Sequence, residues 1–234
     1  MRCKTIKSTV FCIVACYFFS GVSIAWDISE FPHAPKKKQR ASLRYQPRSE
    51  LMQKKYPLTV GVMDVSDKRA TSFFLAKEGA TDEFFQETIA DGISEAFYLE
   101  MKKSGLFEKV VKIDETRPEE LTAGSLSGLR EQYNVDMLVV ADLSKFNMVR
   151  EKMGGLQYNS YITRVDIELI AQLIYLKAGV VVWADVVDRI SEKHSETGAL
   201  RPGEVGELTT STMGDLFSDM KVLIAETGKV MKVK

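Results

Sequence analysis

Two histidines, His33 and His194, and three cysteines, Cys3, Cys12 and Cys16, are the whole stock of imidazole and thiol in this 234-residue chain. The cysteines all fall near the amino terminus. A zinc site, a thiol nucleophile or a disulfide framework therefore has almost no raw material in the rest of the sequence. His194 lies in SEKHSE at 191–196, with hydroxyls and acids beside it. Such closeness in sequence does not make a triad, which needs an orienting acid and a defined geometry. Asp64, Asp67 and Asp142 stand at or near the ends of apolar runs, where α/β sheets bind ligands. Short acids at strand ends also bond their own backbone in turns, and that is the plainer reading. Asp166 and Glu168 share one strand face and could hold a cation, but Arg164 beside them makes a solvated charge ladder the expectation. No G-x-x-x-x-G-K-[ST], G-x-S-x-G or H-E-x-x-H occurs. Catalytic residues, cofactor and metal are all assigned as none, and the chain is read as a non-enzyme.

Charge adds a second exclusion. Thirty-two basic side chains balance 32 acidic ones, so broad attraction to nucleic acid is not the organising principle. The balance fails locally toward the amino terminus. Residues 26–56 contain Lys36, Lys37, Lys38, Arg40, Arg44 and Arg48, punctuated by Pro32, Pro35 and Pro47. This reads as a basic leader arm, solvated or drawn to anionic lipid or lipopolysaccharide.

Ahead of it, residues 1–25 have the order of a secretory signal peptide: Arg2, Lys4 and Lys7, the apolar run VFCIVACYFF at 10–19, then Ser23 and Ala25 before Trp26. The run is shorter than the ~20 residues that span a bilayer. Within it, Ile13-Val14-Ala15-Cys16 has the form of a lipobox, making Cys16 a candidate lipid attachment site, although Tyr17, Phe18 and Phe19 follow where polar linker residues are usual. The expected location is the periplasm of a bacterium, with outer-membrane association if Cys16 is retained.

The elements that must position these residues occupy 57–234, read as a single domain. LTVGVMDV at 58–65 is β-branched and reads as the first strand, followed by a loop from Ser66 to Gly79. Thr81 is expected to cap a helix with Phe85, Ile89, Ile93, Ala96 and Phe97 on one stripe and Gly105 as its stop. EKVVKI at 108–113 is the second strand, and Thr116 with Glu119 has capping-box spacing before a helix or two helical turns, broken near Gly124 and resuming from Ser125 through Tyr133 to a stop at Asn134. A third strand over 135–149 leads to a Gly154-Gly155 turn. Strict alternation from Tyr161 to Leu176 predicts a long strand with one buried face, and VVVWADVVDRI at 180–190 returns beside it. Residues 191–203 read as polar loop. The chain closes with an amphipathic helix carrying Val205, Leu208, Thr212, Leu216, Met220, Leu223 and Ile224, weakened by Gly206 and Gly214. The fold class is α/β (α+β), one mixed sheet of about five strands in the order β-α-β-α-β-β-β-α, with helices mainly on one face. Trp183, central in the last strand, reads as packing or as a contact to a partner.

Three segments carry a resemblance: IADGISEA at 89–96 leading to KSGLF at 103–107, YNVDMLVVADL at 133–143, and VDIEL at 165–169 leading to GVVVW at 179–183. Together they resemble a domain shared by the amino-terminal part of the Tol-Pal translocation protein, curli-secretion lipoproteins, lipoprotein activators of penicillin-binding proteins and auxiliary lipoproteins of ABC transporters. The resemblance covers residues 58–190. It implies a periplasmic, non-enzymatic assembly module that works through contacts with an envelope protein complex. No membrane-crossing hairpin pair is recognisable, so pore formation is not carried over, and no binding residue is transferred. The sequence leaves the oligomeric state open.

Overall fold

The β-branched stretch after residue 55 forms β1 (Tyr56–Met63), and a computed structural model describes it together with residues 40–47, 64–69, 84–118, 120–154, 160–196 and 198–227. β1 pairs in parallel with β3 (Phe107–Ile113) on one side and with β4 (Met137–Met153) on the other, so Val60 lies between Val110 and Met137. A two-residue β2 (Ser66–Asp67), inside the segment expected to be loop, pairs with Asp142 and Leu143 of β4. From β4 the chain runs antiparallel through β5 (Ser160–Tyr175) and β6 (Val180–Ser195), giving the sheet order β3-β1-β4-β5-β6.

Helix α1 (Ile89–Lys103) joins β1 to β3, α2 (Ala123–Tyr133) joins β3 to β4, and α3 (Pro202–Thr227) ends the described chain. The element order and mixed sheet are those read from the sequence, with β2 as the addition. Two helices share one face: α1 and α3 close the larger core, with Ile93, Phe97, Phe217 and Met220 over Val139, Leu169 and Leu173. α2 covers the opposite face at one end, packing Leu126 and Leu129 on Met63, Ile113, Leu138 and Ile174. The connection logic explains this. β1 to β3 steps one way across the sheet and β3 to β4 steps back, so crossovers of one hand put their helices on opposite faces.

Three local expectations are corrected. The cap of α1 is Thr88, whose hydroxyl accepts from the Asp91 amide at 3.2 Å, and Thr81 lies outside the described residues. Phe85 precedes the helix because the backbone on either side of it is engaged by the strap: the Ala41 amide donates to the Phe84 carbonyl at 2.9 Å and the Gln86 amide to the Ala41 carbonyl at 2.8 Å. The cap of α2 is Thr122, donated to by the Ser125 amide, rather than Thr116; Glu119 is outside the described residues. Residues 191–195, expected in a loop, continue β6 because they lie opposite Val165 through Tyr161 of the equally long β5. The expected stops hold: Gly105 has φ +70° and Asn134 takes the left-handed conformation at φ 50°.

The basic segment differs from a solvated tail over residues 40–47. Ala41 and Leu43 are buried, alternating with exposed Arg40 and Arg44. This strap lies against α3 so closely that a Cβ on Gly206 would sit 2.6 Å from the Ser42 carbonyl oxygen. Gly206 is thus a contact point, where sequence reading gave it only as a weakness of the helix.

Candidate functional site

Asp136, in the YNVD stretch at 133–136, shows what that segment does. Its carboxylate accepts from the Thr59 amide at 3.0 Å and its own amide donates to the Thr59 carbonyl at 2.8 Å. The residue therefore aligns the start of β4 with β1 and has a structural task.

Three places on the molecule gather chemistry-bearing side chains. The first is a groove of about 620 Å³ beside the end of β1, lined by the strap, α1 and β3. Asp64, Asp91 and Glu95 enter it, and the Lys112 ammonium lies 3.6 Å from Asp64 and 3.7 Å from Glu95. Glu87 is tied to the strap, accepting from the Ser42 hydroxyl at 3.1 Å and the Leu43 amide at 3.2 Å. The Ser94 hydroxyl is engaged too, accepting from the Val65 amide and donating to the Ala90 carbonyl. Lysine among half-exposed carboxylates makes a hydrated charge network, with no activated nucleophile in it.

The other two strand-end acids do not join this groove. Asp67 is bonded to Arg69 at 2.6 Å, and that guanidinium holds its carboxyl below the usual range. Asp142 is paired with Arg117 at 2.6 Å. The β2–β4 pairing brings Asp67 beside Asp142, but each carboxylate is bound to its own arginine.

The second place is the outer face of β4, β5 and β6, beyond the end that α2 covers. The charge ladder is there and is cross-linked strand to strand, but it is not fully solvated as expected: Asp166 is buried and Glu168 half-buried. Arg164 meets Glu192 at 2.5 Å, Lys145 meets Asp166, and the Ser144 hydroxyl donates to Glu168 at 2.6 Å. The bond from Asp166 raises the Lys145 ammonium above its ordinary value, and Glu192 does the same for Arg164. Interleaved with these charges, Ile170 faces Val186, and Val186 and Ile190 are both more than half exposed. His194 sits on the same face opposite Ile162, exposed and on a strand rather than in a loop. Trp183 points the other way: it is 8% exposed, opposite Leu173, and belongs to the core beneath the helices.

The third place was missed in the sequence. Glu100 of α1 and Lys221 of α3 are both essentially inaccessible and form an ion pair, with the Tyr45 hydroxyl of the strap donating to the second Glu100 oxygen at 2.8 Å. Tyr45 also meets Phe217 edge-on at 5.7 Å. A signal existed, because Glu100 follows Ile93, Ala96 and Phe97 on the apolar stripe and Lys221 follows Phe217 at helical spacing. A charge inside an apolar stripe calls for a buried partner.

Among the described residues, no group of three or more histidine, cysteine or carboxylate side chains could hold a metal ion, and no helix is long and apolar enough to cross a membrane. Of the basic residues singled out, Arg40 and Arg44 are exposed, while Lys36, Lys37, Lys38 and Arg48 lie outside the described residues, as does Cys16.

No protein-family model matches the chain. No curated protein matches it. Solved structures of similar shape include protein XCC0632 from Xanthomonas campestris (DUF330), 12% identical over 82% of this chain and 97% of that one, with a TM-score of 0.49. Lipoprotein GNA1162 from Neisseria meningitidis is 9% identical over 70% of this chain and 99% of its own, with a TM-score of 0.35. The LpoB C-terminal domain from Escherichia coli is 11% identical over 56% of this chain and 81% of its own, with a TM-score of 0.30. These are distant likenesses of shape, and no activity, ligand or partner is taken from them.

Proposed function

We propose that this chain is an exported, non-enzymatic accessory protein of a bacterial cell-envelope assembly, transport or secretion complex, acting through protein contacts. Residues 1–25 are its export signal, residues 26–56 its basic arm and residues 57–234 its working domain. It acts in the periplasm. Retention of Cys16 as a lipidated first residue would hold it at the outer membrane.

The observation that carries this reading is the outer face of β5 and β6. Ile170, Val186 and Ile190 are exposed there among ordered ion pairs, and no described helix covers them. Apolar side chains rimmed by charge are the composition of protein-contact surfaces. The test is crosslinking in intact envelopes followed by purification of this chain. Wild type should recover a defined protein partner, and Val186→Glu with Ile190→Glu should lose it at unchanged protein level. Recovery of no protein partner, or equal recovery by the variant, overturns the reading.

A second reading, an anionic lipid or lipopolysaccharide binding module of a lipid-transport system, is favoured by one observation. Arg40 and Arg44 are exposed on a strap that is itself fixed to the core. Arg40→Glu with Arg44→Glu should then weaken binding to phosphatidylglycerol vesicles, most at low salt. Equal binding removes this reading.

A further inference from the structure

β6 is the last strand of the sheet, and among the described residues nothing pairs with its free edge along the sixteen residues from Val180 to Ser195. An edge of that length presents a row of backbone donors and acceptors, of which the Val186 amide is already engaged, donating to one Asp185 carboxylate oxygen at 2.8 Å and leaving the other oxygen for a partner. Exposed apolar side chains gather around it. Val180, Val181, Val186 and Ile190 are on β6, Ile170 is its neighbour on β5, and Val222 lies on α3 one turn beyond Asp219. Asp219 is bound to Arg189 of β6 at 2.8 Å, so Val222 stands on the helix flank that borders this edge.

We propose that β6 pairs antiparallel with β6 of a second copy, with the two-fold axis through Val187, joining two sheets into one. The charge order of the strand selects that register. In an antiparallel self-pair, each residue faces the one equally far on the other side of the axis. An axis at Asp188 sets Asp188 against itself, an axis at Arg189 sets Asp185 against Lys193 but Arg189 against itself, and an axis at Ile190 sets Asp188 against Glu192. An axis at Val186 pairs no opposite charges. The axis at Val187 places Asp185 opposite Arg189 of the second copy, and the symmetry supplies the pair twice. Asp185 and Arg189 lie on the helix-facing side of β6, opposite Ala171 and Ile167, and both are exposed. Asp219 occupies one nitrogen of the Arg189 guanidinium, which carries five donors in all. Like charges directly opposed disfavour the competing registers. The two outer faces would merge into one surface across the axis.

This inference rests on the topology and charge order of β6 and stands independently of the accessory-protein reading. The exported protein purified from cells should sediment as a dimer. Asp185→Arg and Arg189→Asp should each weaken the dimer by roughly tenfold or more, and the double swap should restore association to within about threefold of wild type. Hydrogen exchange in unaltered protein provides the second measurement: β6 amides should become more protected as protein concentration rises through the dimerisation range. A monomer up to millimolar concentration overturns the inference. So does a dimer indifferent to the single reversals, a swap that fails to restore association, or exchange in β6 independent of concentration.

Discussion

At the scale of single residues, the most consequential feature is the buried Glu100–Lys221 pair with its third partner, Tyr45. Taking two charges out of water is costly, and their attraction returns that cost only when the remaining polar atoms are satisfied. Removing one charge strands the other. Glu100→Ala should therefore cost about 3–5 kcal/mol in urea unfolding, whereas Glu100→Leu combined with Lys221→Met should recover most of the loss. Tyr45→Phe, which removes only the hydroxyl, should cost about 1–2 kcal/mol. Glu204 gives a pH prediction. Its carboxylate accepts from the Arg201 amide at 2.9 Å, and that bond, helped by Lys193, lowers its pKa below the ordinary glutamate value. A carboxyl depressed in the folded state stabilises the fold above its unfolded value, and this contribution disappears as pH falls through the folded one. The amino-terminal turn of α3 should accordingly loosen on acidification below the usual carboxylate range. Glu204→Gln should flatten that part of the stability-versus-pH curve.

Among the elements, the strap is the one that sequence patterning alone misplaces. Proline and lysine-arginine content marks a tail, yet Ala41 and Leu43 are core, and two helices carry glycine where the strap approaches them. A Cβ on Gly92 would lie 2.5 Å from Leu43 Cδ1, and one on Gly206 would lie 2.6 Å from the Ser42 carbonyl. In an open helix, glycine to alanine is worth up to about 1 kcal/mol of stability. The sign should therefore differ by position. Gly128→Ala on the exposed side of α2, where no atom lies within 4 Å, should stabilise, whereas Gly206→Ala should destabilise because a backbone carbonyl must move. Gly92→Ala meets the Leu43 side chain, whose tip can turn aside although its Cβ at 3.1 Å must also give way by a few tenths of an ångström, so it too should destabilise, by less than Gly206→Ala. Thermal unfolding of the three variants distinguishes these outcomes. α2 shows a related limit of reading: capping-box spacing pointed to Thr116, but the helix begins at Ala123, close to the expected resumption at Ser125, and its cap is Thr122.

For the whole molecule, the two faces of one sheet are covered unequally: α1 and α3 close one, and α2 covers only one end of the other. The helix-facing side of β5 is buried from Thr163 through Leu173, and substitutions there disturb the core. The outer side of β5 and β6 bears half-exposed Val186 and Ile190 among ion pairs. Val186→Glu with Ile190→Glu should shift unfolding free energy by no more than about 0.5 kcal/mol per site, because little surface is buried there. A larger loss would assign these residues to the fold, and the envelope-crosslinking result could then not be read as loss of a contact.

The sequence by itself determined the element types and most of their order. Alternation in β5, the helical stripes of α1 and α3, and the stops at Gly105 and Asn134 are local consequences of backbone geometry and side-chain period. The missing catalytic motifs and the even charge were legible in the same way. Tertiary structure alone decided where single side chains ended up. It put Trp183 in the core, carried β6 on to Ser195 because β5 was there to pair with it, and placed Thr88 rather than Thr81 at the start of α1. It also joined Glu100 to Lys221 and Tyr45 across 121 and 55 residues of sequence. Those outcomes depend on which distant atoms compete for the same hydrogen bonds and the same buried space, and a local pattern holds no record of that competition.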